Sequence, residues 1–122
     1  MDHSPQFLKL ASDARANVTE VTIQQVRAMQ QAGEKFEFID CREDNEWIAG
    51  RAAGAQHLGK GIIERDIETK VPDKDTKLVL YCGGGFRSAL VADNLRQMGY
   101  TNAISLDGGW RALKDSGLAL EK

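Results

Sequence analysis

The chain has 122 residues, of which 42% are hydrophobic and 28% are charged, and this composition is typical of a single globular domain. A formal net charge of −2, with no basic stripe, argues against a nucleic-acid partner. No apolar stretch reaches membrane-spanning length, the N-terminus lacks the layout of a signal peptide, and two cysteines are too few for a secreted disulfide scaffold. We therefore expect a cytoplasmic protein with reduced thiols and no membrane partner.

The N-terminal segment has the pattern of an amphipathic helix. Ser4 suits the N-cap position and Pro5 the first turn. Apolar residues then recur at helical spacing, namely Phe7, Ala11, Ala14 and Val18. We expect residues 1–17 to form a leader helix that packs on a domain spanning residues 18–122.

The rest of the chain alternates between predicted helices and strands. Thr22 with Gln25 predicts a capping box that opens a helix ending at Gly33. The pattern then predicts strands over residues 36–41, 55–58, 77–81 and 103–106 and helices over residues 43–49, 61–69 and 88–98, followed by a closing helix around Trp110 and Leu113. This alternation predicts an α/β domain with a largely parallel sheet.

The most informative segment is the loop that follows the apolar run ending at Tyr81. It consists of Cys82, Gly83, Gly84, Gly85, Phe86, Arg87 and Ser88. The glycines permit backbone conformations in which successive N–H groups turn inward, and the helix predicted from Ser88 presents the positive end of its dipole. A thiol placed there is favoured as thiolate, so Cys82 is interpreted as a nucleophile rather than a buried structural thiol.

Four charged or polar side chains in or near this loop are candidates for supporting roles. Arg87 carries a guanidinium suited to bidentate binding of an oxyanion. The hydroxyl of Ser88 either donates a hydrogen bond within the site or caps the helix, and capping is the commoner use. Asp40 and Arg42 follow a neighbouring strand, so we expect them at the same edge of the sheet, where they hold the loop or a strand end in place.

The remaining cysteine and the histidines favour simpler interpretations. Period-two alternation places Cys41 on the opposite face from Asp40, as a small core residue, with a resolving role for its thiol as the minority alternative. We expect His3 to lie in a floppy terminus and His57 beside a short strand, so we assign neither to a dyad with Cys82. Two cysteines and two histidines with no close pair also argue against a zinc site.

Taken together, the motifs resemble those of single-domain rhodaneses over residues 18–118. The resemblance is carried by Asp40-Cys41-Arg42-Glu43, Glu46, Gly50, Gly54-Ala55, the Cys82 loop and Leu106-Asp107-Gly108-Gly109-Trp110. It implies a single rhodanese-like domain with a central five-stranded parallel sheet flanked by helices on both faces. It also implies that Cys82 takes sulfane sulfur from a small-molecule donor such as thiosulfate and becomes a persulfide. The persulfide then passes the sulfur to cyanide or a thiol. We predict neither a cofactor nor a metal.

Two other functions compete with sulfur transfer. Phosphatases and arsenate reductases of related fold carry five residues between the cysteine and the arginine, whereas four separate Cys82 from Arg87. The shorter ring of amides fits one sulfur atom better than a tetrahedral oxyanion. The second alternative is a sulfur-relay or protein-binding module that acts through a partner, such as a protein sulfur acceptor, captured by the apolar face of the leader helix.

Overall fold

A computed structural model describes residues 3–122 of the chain. Its helices are α1 (Pro5–Arg15), α2 (Ile23–Gln31), α3 (Asp44–Ala49), α4 (Ile63–Lys70), α5 (Phe86–Gln97) and α6 (Gly109–Lys114). Its strands are β1 (Thr19–Val21), β2 (Glu37–Asp40), β3 (Arg51–Ala52), β4 (Gln56–His57), β5 (Leu78–Tyr81), β6 (Ala103–Leu106) and β7 (Leu120–Glu121). A parallel five-stranded sheet has the order β1-β6-β5-β2-β4, and β3 pairs with β7 in a small antiparallel sheet. The predicted α/β class is confirmed.

The central strand β5 is buried on both faces, as its unbroken apolar run predicts. Leu78 and Leu80 pack into a cluster with the inner faces of α4 and α5. Val79 and Tyr81 point to the other face, into a cluster that contains residues of α2 and α6. Two hydrophobic layers therefore hold the sheet, and the carboxyl end of β5 delivers Cys82 to one edge.

The leader helix α1 packs against α5. Ser4 caps it, with its hydroxyl accepting a hydrogen bond from the Phe7 amide, and Ala11 and Ala14 are buried against the domain. The small alanine side chains allow close approach of the two helices. Within the apolar face on which the partner-binding hypothesis relied, Ala11 and Ala14 are therefore covered by the chain itself, whereas Phe7 is only partly buried.

Two sequence expectations about element boundaries are wrong. The leader helix is expected over residues 1–17, but α1 ends at Arg15, residues 16–18 form a turn, and Thr19–Val21 form the edge strand β1 against β6. Helix α5 begins at Phe86 rather than Ser88 because Gly85 occupies the N-cap position with φ 100°, a left-handed conformation that glycine adopts without strain. No helix in residues 3–122 is long and apolar enough to cross a membrane.

Candidate active site

Cys82 lies at the floor of a cleft at the carboxyl edge of the sheet. It follows β5 directly and is 1% exposed. The cleft has a volume of about 580 Å³ and is lined by His3, Phe7, Glu46, Cys82, Gly83, Gly84, Phe86, Arg87, Trp110, Arg111 and Lys114. A thiol at the bottom of a cleft of this size is accessible to a small molecule while being shielded from bulk water.

The backbone of the loop is arranged around the sulfur atom. The Gly85 N–H donates a hydrogen bond to Cys82 Sγ at 3.1 Å. Because α5 begins at Phe86, its first-turn amides have no acceptors within the helix and face the same end as the sulfur. These amides and the positive end of the helix dipole suit an anionic ligand at this end of α5. Phe86, Arg87 and Ser88 therefore belong to the first turn of α5, and only the three glycines form the loop proper.

Ser88 does not cap the helix, contrary to the commoner use expected for it. Its side chain is fully buried, and its hydroxyl accepts a hydrogen bond from the Cys82 thiol at 3.5 Å. It also lies 2.8 Å from the hydroxyl of Ser105, which is likewise buried. The sequence interpretation missed Ser105, although a serine in the otherwise apolar strand β6 is a signal of a buried polar contact.

Arg87 lies at the cleft but is not a free cation. Its Nη1 lies 3.0 Å from Glu46 Oε1 and its Nη2 3.3 Å from Glu46 Oε2, a bidentate pair between α5 and α3. Glu46 also accepts a hydrogen bond from the Glu43 amide in a capping box. Burial alone raises the pKa of Glu46, but the hydrogen bonds from Arg87 and the Glu43 amide outweigh it and hold that pKa below its ordinary value. Sequence reasoning did not assign Glu46 to the site.

Asp40 and Arg42 form a buried ion pair beside the loop rather than an exposed one. Arg42 Nη2 lies 2.7 Å from Asp40 Oδ2, and the side chains are 3% and 0% exposed. The same Nη2 donates to the Gly50 carbonyl at 2.6 Å, and the guanidinium stacks 4.4 Å from the Trp110 ring centroid. The pair joins the end of β2 to the turn after α3 and to Trp110 on the cleft wall.

The Gly108-Gly109 turn supports the loop from behind. The Trp110 amide donates to the Cys82 carbonyl at 2.7 Å, and the Arg111 amide donates to the Gly83 carbonyl at 3.1 Å. Gly109 has φ 49°, and a Cβ there would overlap the Cys82 carbonyl oxygen and lie 3.0 Å from the carbonyl carbon of Gly83. The close approach of the two backbones therefore requires glycine at this position.

An aromatic cluster contributed by the leader segment forms one wall of the cleft. The His3 ring centroid lies 4.7 Å from that of Phe86, and the Phe7 centroid lies 6.0 Å from it. Arg15, at the other end of α1, stacks over Phe86 at 4.9 Å. The expectation that His3 lies in a floppy terminus is therefore wrong, because His3 packs on the first residue of α5.

Cys41 is a core residue, as predicted, on the face opposite Asp40. Its thiol is 1% exposed, and burial raises its pKa well above the ordinary value, which disfavours the nucleophilic thiolate. His57 Nε2 donates a hydrogen bond to the Arg42 carbonyl, 2.8 Å away, and the ring stacks on Trp47. Within the described residues, no group of three or more His, Cys, Asp or Glu side chains could hold a metal ion.

A scan against protein families matches residues 22–116 to the rhodanese-like domain. Among curated proteins, the chain is 30% identical over 107 residues to the "Probable adenylyltransferase/sulfurtransferase MoeZ" of Mycobacterium tuberculosis. That alignment covers 85% of this chain but only 27% of the mycobacterial protein. The thiosulfate sulfurtransferase GlpE of Pseudomonas aeruginosa is 29% identical over 93 residues, which cover 74% of this chain and 81% of GlpE.

One solved structure matches the chain over nearly its whole length. It is a Rhodopseudomonas palustris protein of unknown function, described as a "Possible Tyrosine Phosphatase". The two share a TM-score of 0.84 and 26% sequence identity, with 99% of each chain covered. This likeness includes α1, which lies outside the segment matched by the family.

Proposed function

Because the chain belongs to the rhodanese-like domain family, we propose that it is a sulfurtransferase in which Cys82 carries sulfane sulfur as a persulfide. The Cys82 thiolate attacks the outer sulfur of a donor such as thiosulfate. The bond between the two donor sulfurs breaks, and sulfite leaves with its electron pair. Cyanide or a thiolate then attacks the outer sulfur of the persulfide, and Cys82 departs again as thiolate. Neither step needs an external oxidant or reductant.

The observation that carries this proposal is the environment of the sulfur atom. Sγ accepts the Gly85 N–H at the N-terminal end of α5, where backbone dipoles stabilise an anion before and after sulfur is gained. The loop presents amides rather than charged side chains at its glycines, so it suits one added sulfur atom. Ser88 Oγ accepts a hydrogen bond from the Cys82 thiol at 3.5 Å, and the same hydroxyl can donate to the sulfur once it is a thiolate.

Arg87 assists the leaving group in this proposal. Its guanidinium lines the cleft and is 27% exposed, so it can donate to an oxyanion while Glu46 holds its orientation. Developing negative charge on sulfite is thereby stabilised. Arg111 and Lys114 add positive charge at the rim of the same cleft, which favours anionic donors.

The proposal is tested by intact-protein mass spectrometry after incubation with thiosulfate. Wild type and Cys41→Ala are expected to gain one sulfur atom and to release thiocyanate when cyanide is added. Cys82→Ser is expected to do neither. Cys41→Ala is the matched control because it removes the only other thiol of the chain. Failure of wild type to gain sulfur from thiosulfate would refute the thiosulfate reaction.

A phosphatase is the second candidate, because the full-length structural neighbour is described as a possible tyrosine phosphatase. Two features weigh against it. Four residues rather than five separate Cys82 from Arg87, and Glu46 neutralises the guanidinium that would bind a phosphate dianion. Cys82-dependent hydrolysis of an aryl phosphate, in the absence of sulfur transfer, would favour the phosphatase.

A further inference from the structure

We propose that α1 builds a selectivity wall for the sulfur acceptor, and that the preferred acceptor is a small thiol with an aromatic body and a carboxylate. This inference rests on the proposed sulfur transfer and names the acceptor class. Its basis is the aromatic cluster of His3, Phe7 and Phe86 beside Cys82, combined with the cationic side chains of α6 in the same cleft.

The aromatic wall is a continuous surface. The rings of His3 and Phe7 lie 5.1 Å apart, and both lie within 6.0 Å of Phe86. All three side chains line the cleft that contains the Cys82 thiol. Edge-to-face and offset contacts with such rings favour another aromatic group over an aliphatic one.

The wall is held rigidly against the catalytic loop. Ala11 and Ala14 are buried beneath α1, and Arg15 stacks over Phe86 at 4.9 Å. A Cβ on Gly85 would lie 3.2 Å from Arg15 Nη2, so α1 also contacts the turn that donates to the sulfur. Two of the three wall residues precede residue 22, where the match to the family begins, so the wall is an addition to the common domain.

Positive charge in the cleft favours a carboxylate on the acceptor. Arg111 and Lys114 are exposed and lie three residues apart on α6, on one helical face. The carboxylate in the cleft, Glu46, is already paired with Arg87. A carboxylate on the acceptor therefore meets an excess of positive charge. The cleft of about 580 Å³ is of the size that binds small organic molecules and is far larger than cyanide requires.

The step balances without a further reagent. The acceptor thiolate attacks the outer sulfur of the Cys82 persulfide, and a bond forms between those two sulfurs. The bond between Sγ and the outer sulfur breaks, with its electron pair remaining on Cys82. The products are the Cys82 thiolate and the anion of a small-molecule persulfide, so the two reacting groups carry two negative charges before and after the step and no proton moves.

The test compares two alkyl thiols that both carry a carboxylate, with thiosulfate as donor and sulfite release as the readout. One is para-(mercaptomethyl)benzoate, which has a ring, and the other is mercaptoacetate, which has none. We expect wild type to have the higher kcat/KM with the aromatic thiol. Phe7→Ala is expected to lower the ratio of the two kcat/KM values roughly two- to tenfold, the range of an aromatic contact. Phe7→Leu should give an intermediate ratio.

The control is Leu8→Ala, since Leu8 is 41% exposed and lies outside the cleft lining. This variant should keep the wild-type ratio. The Tm of each variant is compared with that of wild type to check that the fold is retained. An unchanged ratio in folded Phe7→Ala, or no aromatic preference in wild type, would overturn the inference. Cyanide is tested as a second acceptor. If wild type forms no thiocyanate, sulfur transfer itself is refuted; if it does, the thiol comparison tests acceptor choice alone.

Discussion

Arg87 and Glu46 form a bidentate ion pair across the cleft, with Nη1 of the arginine 3.0 Å from Oε1 of the glutamate. The arginine belongs to the first turn of α5 and the glutamate to α3, so the pair joins two elements that are 41 residues apart in the chain. The Arg87 side chain also packs closely over Gly83, because a Cβ added at Gly83 would lie 3.1 Å from Arg87 Nη2. Glu46 therefore both orients the guanidinium and offsets its positive charge with a negative one.

Glu46→Gln is expected to strengthen thiosulfate binding. The amide keeps a hydrogen-bond acceptor for Arg87 but removes the competing negative charge, so KM for thiosulfate should fall roughly two- to fivefold, as expected for a partly exposed ion pair. Steady-state kinetics at low ionic strength measure the change, because salt screens it. Glu68→Gln is the matched control, since Glu68 pairs with Lys74 on another surface. A KM that rises in Glu46→Gln would show that orientation outweighs charge.

The same ion pair predicts a dependence of stability on pH. The pKa of Glu46 is lower in the folded protein than its ordinary value of 4.5, so the folded state binds this proton less tightly than the unfolded chain. The contribution of Glu46 is fully present above pH 4.5 and is lost as the pH falls through the folded pKa. Urea denaturation at pH 7 and at acidic pH should show a smaller acid-induced loss in Glu46→Gln than in wild type. Equal losses would contradict the pairing.

The sequence predicts the parts of the site that depend on local signals. The apolar strand β5, the glycines after Cys82 and the helix that follows all have patterns within a few residues, and the structure contains each of them. Glu46 and Phe7 reach the cleft, and Ser105 reaches Ser88 behind it, through tertiary packing between distant segments. The serine in the apolar strand β6 signals a buried polar contact, but no local pattern identifies the partners, because they depend on how the sheet orders its strands.

Short strands escaped sequence analysis for a related reason. The strand β1 has three residues and β3 and β7 have two each, which is too few for alternation to be recognised. Pairing with β6 stabilises β1, while β3 and β7 stabilise each other. Tertiary hydrogen bonding rather than intrinsic propensity forms these strands.

Asp40→Asn is expected to destabilise the protein strongly. Arg42 is 3% exposed, and loss of the carboxylate leaves its buried charge without a countercharge, which costs about 3–5 kcal/mol in comparable pairs. Chemical denaturation monitored by tryptophan fluorescence measures the free energy of unfolding. The comparison is Asp66→Asn, which removes a pair with the exposed Arg65 and should change stability little. Similar losses of unfolding free energy in the two variants would show that the buried Asp40–Arg42 pair contributes no more than an exposed pair.

The two serines behind the sulfur are expected to differ in their effects on catalysis. Ser88→Ala removes the hydroxyl that contacts Sγ and should slow persulfide formation from thiosulfate. Ser105→Ala leaves the Ser88 hydroxyl free to donate to the thiolate, so its rate should stay closer to that of wild type. Ser88→Ala leaves the buried Ser105 hydroxyl unpaired, at a cost of about 1–3 kcal/mol. Stopped-time mass spectrometry measures the rates, and equal slowing by both variants would contradict the proposed order of contacts.

Gly109→Ala is expected to disrupt the support of the Cys82 loop. The added Cβ would overlap the Cys82 carbonyl, so the Trp110 amide could no longer hold that carbonyl at 2.7 Å. The matched control is Gly33→Ala, where φ is 69° and no atom lies within 4 Å of the added Cβ. Both variants incur the left-handed backbone cost of about 1–2 kcal/mol, but only Gly109→Ala should also lose persulfide formation. Thermal unfolding and sulfur uptake, measured on both variants, separate backbone strain from displacement of Cys82. Sulfur uptake by Gly109→Ala at the rate of Gly33→Ala would mean that the loop keeps its geometry without this contact.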